Sequence, residues 1–143
     1  MKEGTKTLEF KFERTLPAPA EEVYDAWLNP EVPGNPWYEG DKLLLNPHVD
    51  GFFYWLIHDN PHYGRFTEVE RPGRIQHTWM SPSTLGEETT VTVTFQQKGN
   101  DTLMTLVHTG IPDSDAGKGH ERGWNYFLDN FHEKFTDRKD SVA

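Results

Sequence analysis

The fold is decided by residues 111–138, which read IPDSDAGKGHERGWNYFLDNFHEKFTDR. The large apolar side chains step by 3, 1, 3 and 4 positions, a spacing that places them along one face of an α-helix. They are Trp124, Phe127, Leu128, Phe131 and Phe135. Asp113 or Ser114 can cap the start of this helix. The stretch therefore predicts a C-terminal helix of about 25 residues, roughly 35 Å long, whose apolar face needs a partner.

Glycines lie inside this predicted helix, where each costs about 1 kcal/mol relative to alanine. We expect Gly119 and Gly123 to let the helix approach a sheet where a β-carbon would collide, or to form a hinge that opens a pocket. His120 and Glu121, between them, point about 100° apart on a helix. They therefore do not predict a catalytic pair, and Glu121 is expected to reach solvent.

The residues before the helix predict the sheet that it covers. Residues 7–15, TLEFKFERT, alternate between apolar and charged, which is typical of a strand with one face on a core. A short helix near Pro19 and an irregular connection over 30–40 follow. Turn signals then separate six more predicted strands, at 42–46, 51–58, 63–70, 74–81, 88–97 and 102–109. Short connections make these strands antiparallel, so we predict an α+β fold: a curved sheet of about seven strands wrapped around the C-terminal helix.

Composition limits the class of function. The chain has 143 residues, a formal net charge of −9 and no cysteine, so one domain over 1–143, ordered from about 7 to 137, is expected and thiolate chemistry is excluded. Nucleic-acid binding requires a basic stripe, and the basic cluster at Arg138 and Lys139 is flanked by acids. No apolar run approaches the 18 residues of a membrane span. We expect a soluble, cytoplasmic protein.

Four stretches together resemble the family of activators of the heat-shock-protein-ninety ATPase, within the START-like (SRPBCC) superfamily. They are FERTLPAPAEEVYDAWLNPE at 12–31, YGRFTEVERPGRIQHTW at 63–79, TLMTLVHTGIP at 102–112 and GHERGWNYFLDNF at 119–131. The resemblance spans about residues 7–137 and implies the helix-grip fold. Because residues 1–6 are too few for the second domain of the co-chaperone, we expect a free-standing relative.

The resemblance implies a cavity between sheet and helix that binds a small apolar or amphipathic molecule, such as a lipid, without catalysis and without a cofactor. Strand alternation and the helix stripe nominate its apolar wall as Trp55, Phe66, Trp79, Met104, Trp124, Phe127, Leu128 and Phe131. His77 and His108 would be its polar anchors. The same residues can instead form a solid core without a usable void.

Two further functions stay open. One is a co-chaperone-like interaction module, either monomer or homodimer, in which Trp37 and Tyr38 are exposed at a cavity mouth or interface; alternatively, Trp37 tucks beneath its loop. The other is a cavity enzyme with His108 or Glu68 as acid or base. Glu68 could enter the cavity only if no bulge intervenes, and could otherwise pair with Arg65 or Arg71.

A metal site is not predicted. His58 and His62 flank a tight turn, and neither has a third ligand nearby in the sequence, whereas a zinc site needs three or four convergent ligands.

Overall fold

The computed structural model describes residues 6–141, and the side chains of residues 6–136. Seven antiparallel strands form one sheet in the order β1-β7-β6-β5-β4-β3-β2. The strands are β1 (Thr7–Leu16), β2 (Lys42–Leu45), β3 (Phe52–Ile57), β4 (Asn60–Glu70), β5 (Arg74–Trp79), β6 (Thr89–Lys98) and β7 (Asp101–Pro112). The helices are α1 (Ala20–Trp27) and α2 (Asp115–Ser141). The predicted α+β fold is confirmed, with each predicted strand and helix present. No helix within residues 6–141 has the length and apolar character needed to cross a membrane.

Alternation along the strands sets which face of the sheet is covered. In β6, Val91, Val93 and Phe95 are buried, while the threonines between them are half-exposed. In β3, both faces are apolar, and the sequence leaves the choice open. The structure turns Phe53 inward, 2% exposed, and leaves Phe52 68% exposed. The inner face therefore carries Phe53 and Trp55, and an apolar patch remains on the outer face.

Helix α1 fills one end of the covered face. Tyr24 of α1 packs edge-on against Phe95 of β6, with ring centroids 5.4 Å apart. Trp27 packs in the same way on Phe131 of α2, at 5.1 Å. This end is consequently closed by aromatic packing, and a gap between sheet and helix can remain only toward the N-terminal half of α2.

The connection after α1 is ordered by a buried asparagine. The Asn35 side-chain amide donates to the carbonyls of Ala26 and Asn29, each at 2.8 Å, and its oxygen accepts from the Tyr38 N–H at 3.0 Å. The preceding residue, Gly34, has φ +103°, and a β-carbon there would lie 2.4 Å from the Phe131 Cα. Only glycine therefore fits where this loop crosses α2.

The loop buries Trp37 in its 3₁₀ turn (Pro36–Tyr38). Trp37 is 3% exposed and packs edge-on against Phe53, Trp55 and His77. Tyr38 is 49% exposed. The expectation that Trp37 tucks beneath its loop is confirmed, and the alternative that exposes it at a cavity mouth is wrong.

A local cap and side-chain bonds to β1 position α2. Ser114 caps its first turn by accepting from the Gly117 N–H at 2.9 Å. Arg14 of β1 donates to Asp129 at 2.9 Å and to Asn125 at 2.8 Å. The helix is thus held at its start and along the side that faces β1.

Candidate functional site

A cavity lies between the N-terminal half of α2, the β3–β4 hairpin and a short 3₁₀ turn (Pro82–Thr84). It has a volume of about 650 Å³ and is open to solvent. This volume lies within the range of roughly 300–1,000 Å³ that is typical of small-molecule sites. It lies at the end of the helix–sheet interface that α1 does not cover.

Aromatic rings make the floor of the cavity. Trp79 lies 5.1 Å from Trp124 and 5.8 Å from Trp55 between ring centroids, and Trp55 lies 5.7 Å from Phe127. All four residues line the cavity. The ring planes are tilted or edge-on, so the floor is an apolar surface built from interlocking rings.

The helix side of the cavity combines large side chains with two glycines. His120, Arg122, Trp124, Tyr126 and Phe127 line it together with Ala116, Gly119 and Gly123. A β-carbon added at Gly119 or at Gly123 would meet nothing within 4 Å. Gly119 is exposed and Gly123 half-buried, so the two glycines leave space on the solvent-facing side of the cavity.

Two histidines in the cavity lining have the same tautomer. His62 of β4 uses Nδ1–H to donate to the Asn60 carbonyl at 3.1 Å, and His120 of α2 uses Nδ1–H to donate to the Gly117 carbonyl at 2.9 Å. A carbonyl can only accept, so in each neutral ring Nε2 carries the lone pair and is an acceptor. Both residues line the cavity and are half-buried.

The neutral state of both histidines follows from their surroundings. Burial lowers the pKa of His62 to about 4, with a smaller contribution from the charge that His120 would carry. Burial also lowers the pKa of His120. His62 lies 4.7 Å from Trp55 and 5.0 Å from Trp79 between ring centroids, and His120 lies 5.1 Å from His108. Apolar rings and a second imidazole cannot stabilise a positive charge as a carboxylate would.

The outer rim of the cavity ties α2 to the loop after α1. The Tyr126 hydroxyl donates to the Glu39 carboxylate at 3.0 Å, and this bond raises the pKa of Tyr126. The Glu39 carbonyl accepts from the Trp55 indole N–H at 2.6 Å. Arg122 adds one cation to the lining. The rim is therefore polar, and the apolar surface lies deeper.

One known protein family matches most of the chain. Residues 17–136 match the family "Activator of Hsp90 ATPase homolog 1-like protein". The chain belongs to this family. No functionally curated protein matches the chain significantly.

Solved structures similar to this Hsp90-activator-like chain share its fold over most of their length. Protein MLL2253 from Mesorhizobium loti is 20% identical, with a TM-score of 0.77 over 92% of this chain and 98% of that one. Protein CV1439 from Chromobacterium violaceum is 23% identical, with a TM-score of 0.74 over 89% and 96%. PFC0360w, an HSP90 activator from Plasmodium falciparum, is 26% identical, with a TM-score of 0.69 over 87% and 90%.

In this member of the family, the predicted wall residues divide into two groups. Four of them, Trp55, Trp79, Trp124 and Phe127, line the cavity. The others lie in the core and are not part of its lining: Phe66, Met104, Leu128 and Phe131. The void between sheet and helix is thus shorter than the apolar stripe on α2, because α1 fills the rest.

His77 and His108, predicted as polar anchors, do not line the cavity either. His77 is 2% exposed among aromatic rings, and its Nδ1–H donates to the Thr78 carbonyl at 2.9 Å. Burial lowers its pKa to about 4. Both histidines lie within the packed core, beneath the surface that a ligand would touch.

His108 joins the helix to the sheet. The Trp124 indole donates to His108 Nδ1 at 2.9 Å, so the protonated Nε2 donates to the Thr89 hydroxyl at 2.7 Å. The Thr89 hydroxyl donates in turn to the Trp79 carbonyl at 2.6 Å. Both ring nitrogens are used, which leaves no atom of this imidazole to act as a general base.

Glu68 is also outside the cavity. The pairing of β4 with β5 shifts by one residue between Phe66 and Glu68, which is a β-bulge. The Glu68 carboxylate pairs with Arg74, whereas Arg65 pairs with Asp50 and Arg71 with Asp25. The prediction that Glu68 forms an ion pair is confirmed, but its partner is Arg74 and not Arg65 or Arg71.

The packing interpretation of Gly119 and Gly123 is wrong, because no protein atom occupies the space beside them. The close approach occurs two residues earlier, at Gly117, where a β-carbon would lie 2.1 Å from the Pro112 carbonyl oxygen. Within the described residues, no group of three or more His, Asp or Glu side chains could hold a metal ion.

Sequence reasoning passed over His62 and His120 as cavity residues. The signal was present in the spacing. His120 precedes Trp124 by one helical turn and therefore shares its face, and His62 is the cross-strand partner of Trp55 in the β3–β4 hairpin.

Proposed function

We propose that this protein binds a small apolar or amphipathic molecule in the cavity between the sheet and α2. The observation that carries the proposal is an aromatic floor beside a stretch of α2 in which Gly119 and Gly123 leave space. Glycine costs helix propensity and an unfilled apolar surface costs contacts, so stability alone favours larger side chains at these two positions. The floor supplies apolar contact, and the rim supplies polar groups for one end of an amphipathic ligand.

Binding can be tested by a substitution on α2 that places a larger side chain in the cavity. Gly123→Leu should place an isobutyl group in the gap and lower the affinity for 2,6-dimethoxynaphthalene at least tenfold, as measured by quenching of tryptophan fluorescence. Glu121→Leu is the matched control, because Glu121 is exposed and does not line the cavity. Native mass spectrometry of freshly purified protein should show a bound small molecule and report whether the chain is a monomer or a homodimer. Affinity that is equal in both variants would contradict the proposal.

A co-chaperone-like role is a second candidate, favoured by the family and by the outer face of the sheet. Leu44 is 70% exposed, Phe52 68% and Tyr63 45%, on the three neighbouring strands at one edge. Such a patch is typical of a protein-interaction surface. If this role holds, the protein should stimulate the ATPase of a purified Hsp90, and Phe52→Ser should abolish the stimulation while ligand binding persists.

A further inference from the structure

We propose that the ligand of this cavity is a flat aromatic molecule that carries hydroxyl or N–H donors, held by the Nε2 lone pairs of His62 and His120. This inference rests on the proposed binding function and specifies its ligand class. It depends on which hydrogen-bonding atoms the cavity offers, and on the shape of the space between them.

The histidines offer acceptors and no donors. Each Nδ1–H already donates to a nearby backbone carbonyl, that of Asn60 for His62 and that of Gly117 for His120. A ligand that covers these rings removes water from both Nε2 atoms. A buried acceptor without a partner is costly, so the ligand must replace the lost donors of water with its own.

The groups that face the two imidazoles keep them neutral. His62 lies against the rings of Trp55 and Trp79, and His120 lies against His108. The carboxylate in the lining, Glu39, already accepts from Tyr126 at the rim. A carboxylate or phosphate ligand would therefore bring negative charge toward two lone pairs, which disfavours an anion beside the histidines. Arg122 is the cation of the lining to which an anion would bind instead, and an anionic probe tests that alternative.

The shape of the cavity favours a planar molecule. The floor is aromatic, and beside it Gly119 and Gly123 leave space along α2, where a β-carbon would meet nothing within 4 Å. A planar ring can pack face to face or edge-on against the floor rings. A branched aliphatic chain has no flat face for this contact.

A pair of probes with the same ring tests the donor requirement. 2,6-Dihydroxynaphthalene donates through its hydroxyls, whereas 2,6-dimethoxynaphthalene can only accept. We expect the dihydroxy probe to bind about tenfold more tightly for each hydrogen bond made, as measured by calorimetry at pH 7.5. His62→Phe and His120→Phe keep an aromatic ring and remove the acceptor, so each should lower this preference while the affinity for the dimethoxy probe is kept. His48→Phe, at an exposed histidine outside the cavity lining, is the matched control.

Nitrogen NMR of the histidine rings gives a readout that is independent of variant stability. In the wild-type protein, the Nε2 resonances of His62 and His120 should lie at the position of an unprotonated ring nitrogen. Both should move toward the hydrogen-bonded position with the dihydroxy probe, and neither should move with the dimethoxy probe.

The outcomes separate the two proposals. Equal affinity for both probes would overturn the donor requirement and leave the binding function standing. Tighter binding of 2-naphthoate than of the dihydroxy probe would overturn it in favour of an anionic ligand. If neither naphthalene binds, the proposed binding function itself fails.

Discussion

Three glycines in one helix provide a test of where α2 touches the sheet and where it leaves a gap. Alanine is introduced at Gly117, Gly119 and Gly123, one position at a time. At Gly119 and Gly123 the new methyl group would meet nothing within 4 Å, whereas at Gly117 it would lie 2.1 Å from the Pro112 carbonyl oxygen. The three substitutions are chemically the same, so a difference between them reports local packing alone.

The expected magnitudes have opposite signs. Gly119→Ala and Gly123→Ala should each raise the free energy of unfolding by about 1 kcal/mol, because alanine is the better helix former and nothing obstructs it. For a domain of this length, 1 kcal/mol corresponds to roughly 3–4 °C in Tm, so the double variant should gain about 6–8 °C. Gly117→Ala should lower the free energy of unfolding by about 1–3 kcal/mol, the usual cost of overpacking.

Urea unfolding and thermal melts measure the stabilities, and titration with 2,6-dimethoxynaphthalene measures the affinity. We expect the stabilising variants to bind more weakly, because their methyl groups enter the space of the ligand. A loss of stability at Gly119 or Gly123 similar to that at Gly117 would show that the helix packs closely there and would refute the gap. Unchanged affinity with slower association would instead favour the hinge role.

Three further predictions concern ionisable groups. Burial lowers the pKa of His77 to about 4 and that of His108 to about 2. As the pH falls below 6.5, these histidines take up protons in the unfolded chain but not in the folded one. The free energy of unfolding should therefore be highest above pH 6.5 and fall by about 3 kcal/mol per histidine by pH 4.5. His108→Gln should reduce that loss in urea unfolding followed against pH, and an unaltered profile would contradict the assignment. His108→Leu should cost about 2–4 kcal/mol at pH 7.5, because the Trp124 indole N–H and the Thr89 hydroxyl lose their partner, whereas His108→Gln can keep one of these bonds and should cost less. Glu68→Gln should change stability by less than about 1 kcal/mol, as expected for a partly exposed ion pair with Arg74, and should leave naphthalene binding unchanged; weakened binding would place Glu68 in the site after all.

The strands and helices could be predicted because their signals are local. The alternation in β1 and β6 and the 3.6-residue stripe on α2 each reflect one face against a core, and the burial of Val91 and Trp124 follows directly. The choice of face in β3 could not be made in this way. Phe52 and Phe53 are chemically identical, and only the packing of Trp37 and His77 against Phe53 distinguishes them.

The candidate site was predicted in part, because its function depends on contacts between distant residues. His108 has the inward strand position of a ligand anchor, but its partners, Thr89 and Trp124, lie 19 and 16 residues away and use both nitrogens. Glycine in a helix signals an unusual requirement for space. It does not say whether protein or ligand takes that space, and here Gly117 and Gly123 give the two different answers.

Glycines that weaken α2 lie only in the half of the helix that borders the cavity. Gly119 and Gly123 line the cavity, and no glycine follows Gly123 in α2 (Asp115–Ser141). Buried polar atoms without a hydrogen-bond partner do not distinguish the two ends of the helix–sheet interface, because the Trp79 indole N–H lies at one end and the Tyr24 hydroxyl at the other. A uniformly loose interface would not confine the helix-weakening residues to one half. Their position beside the cavity is the pattern expected when local stability is given up for binding, and it favours a ligand site over an accidental void.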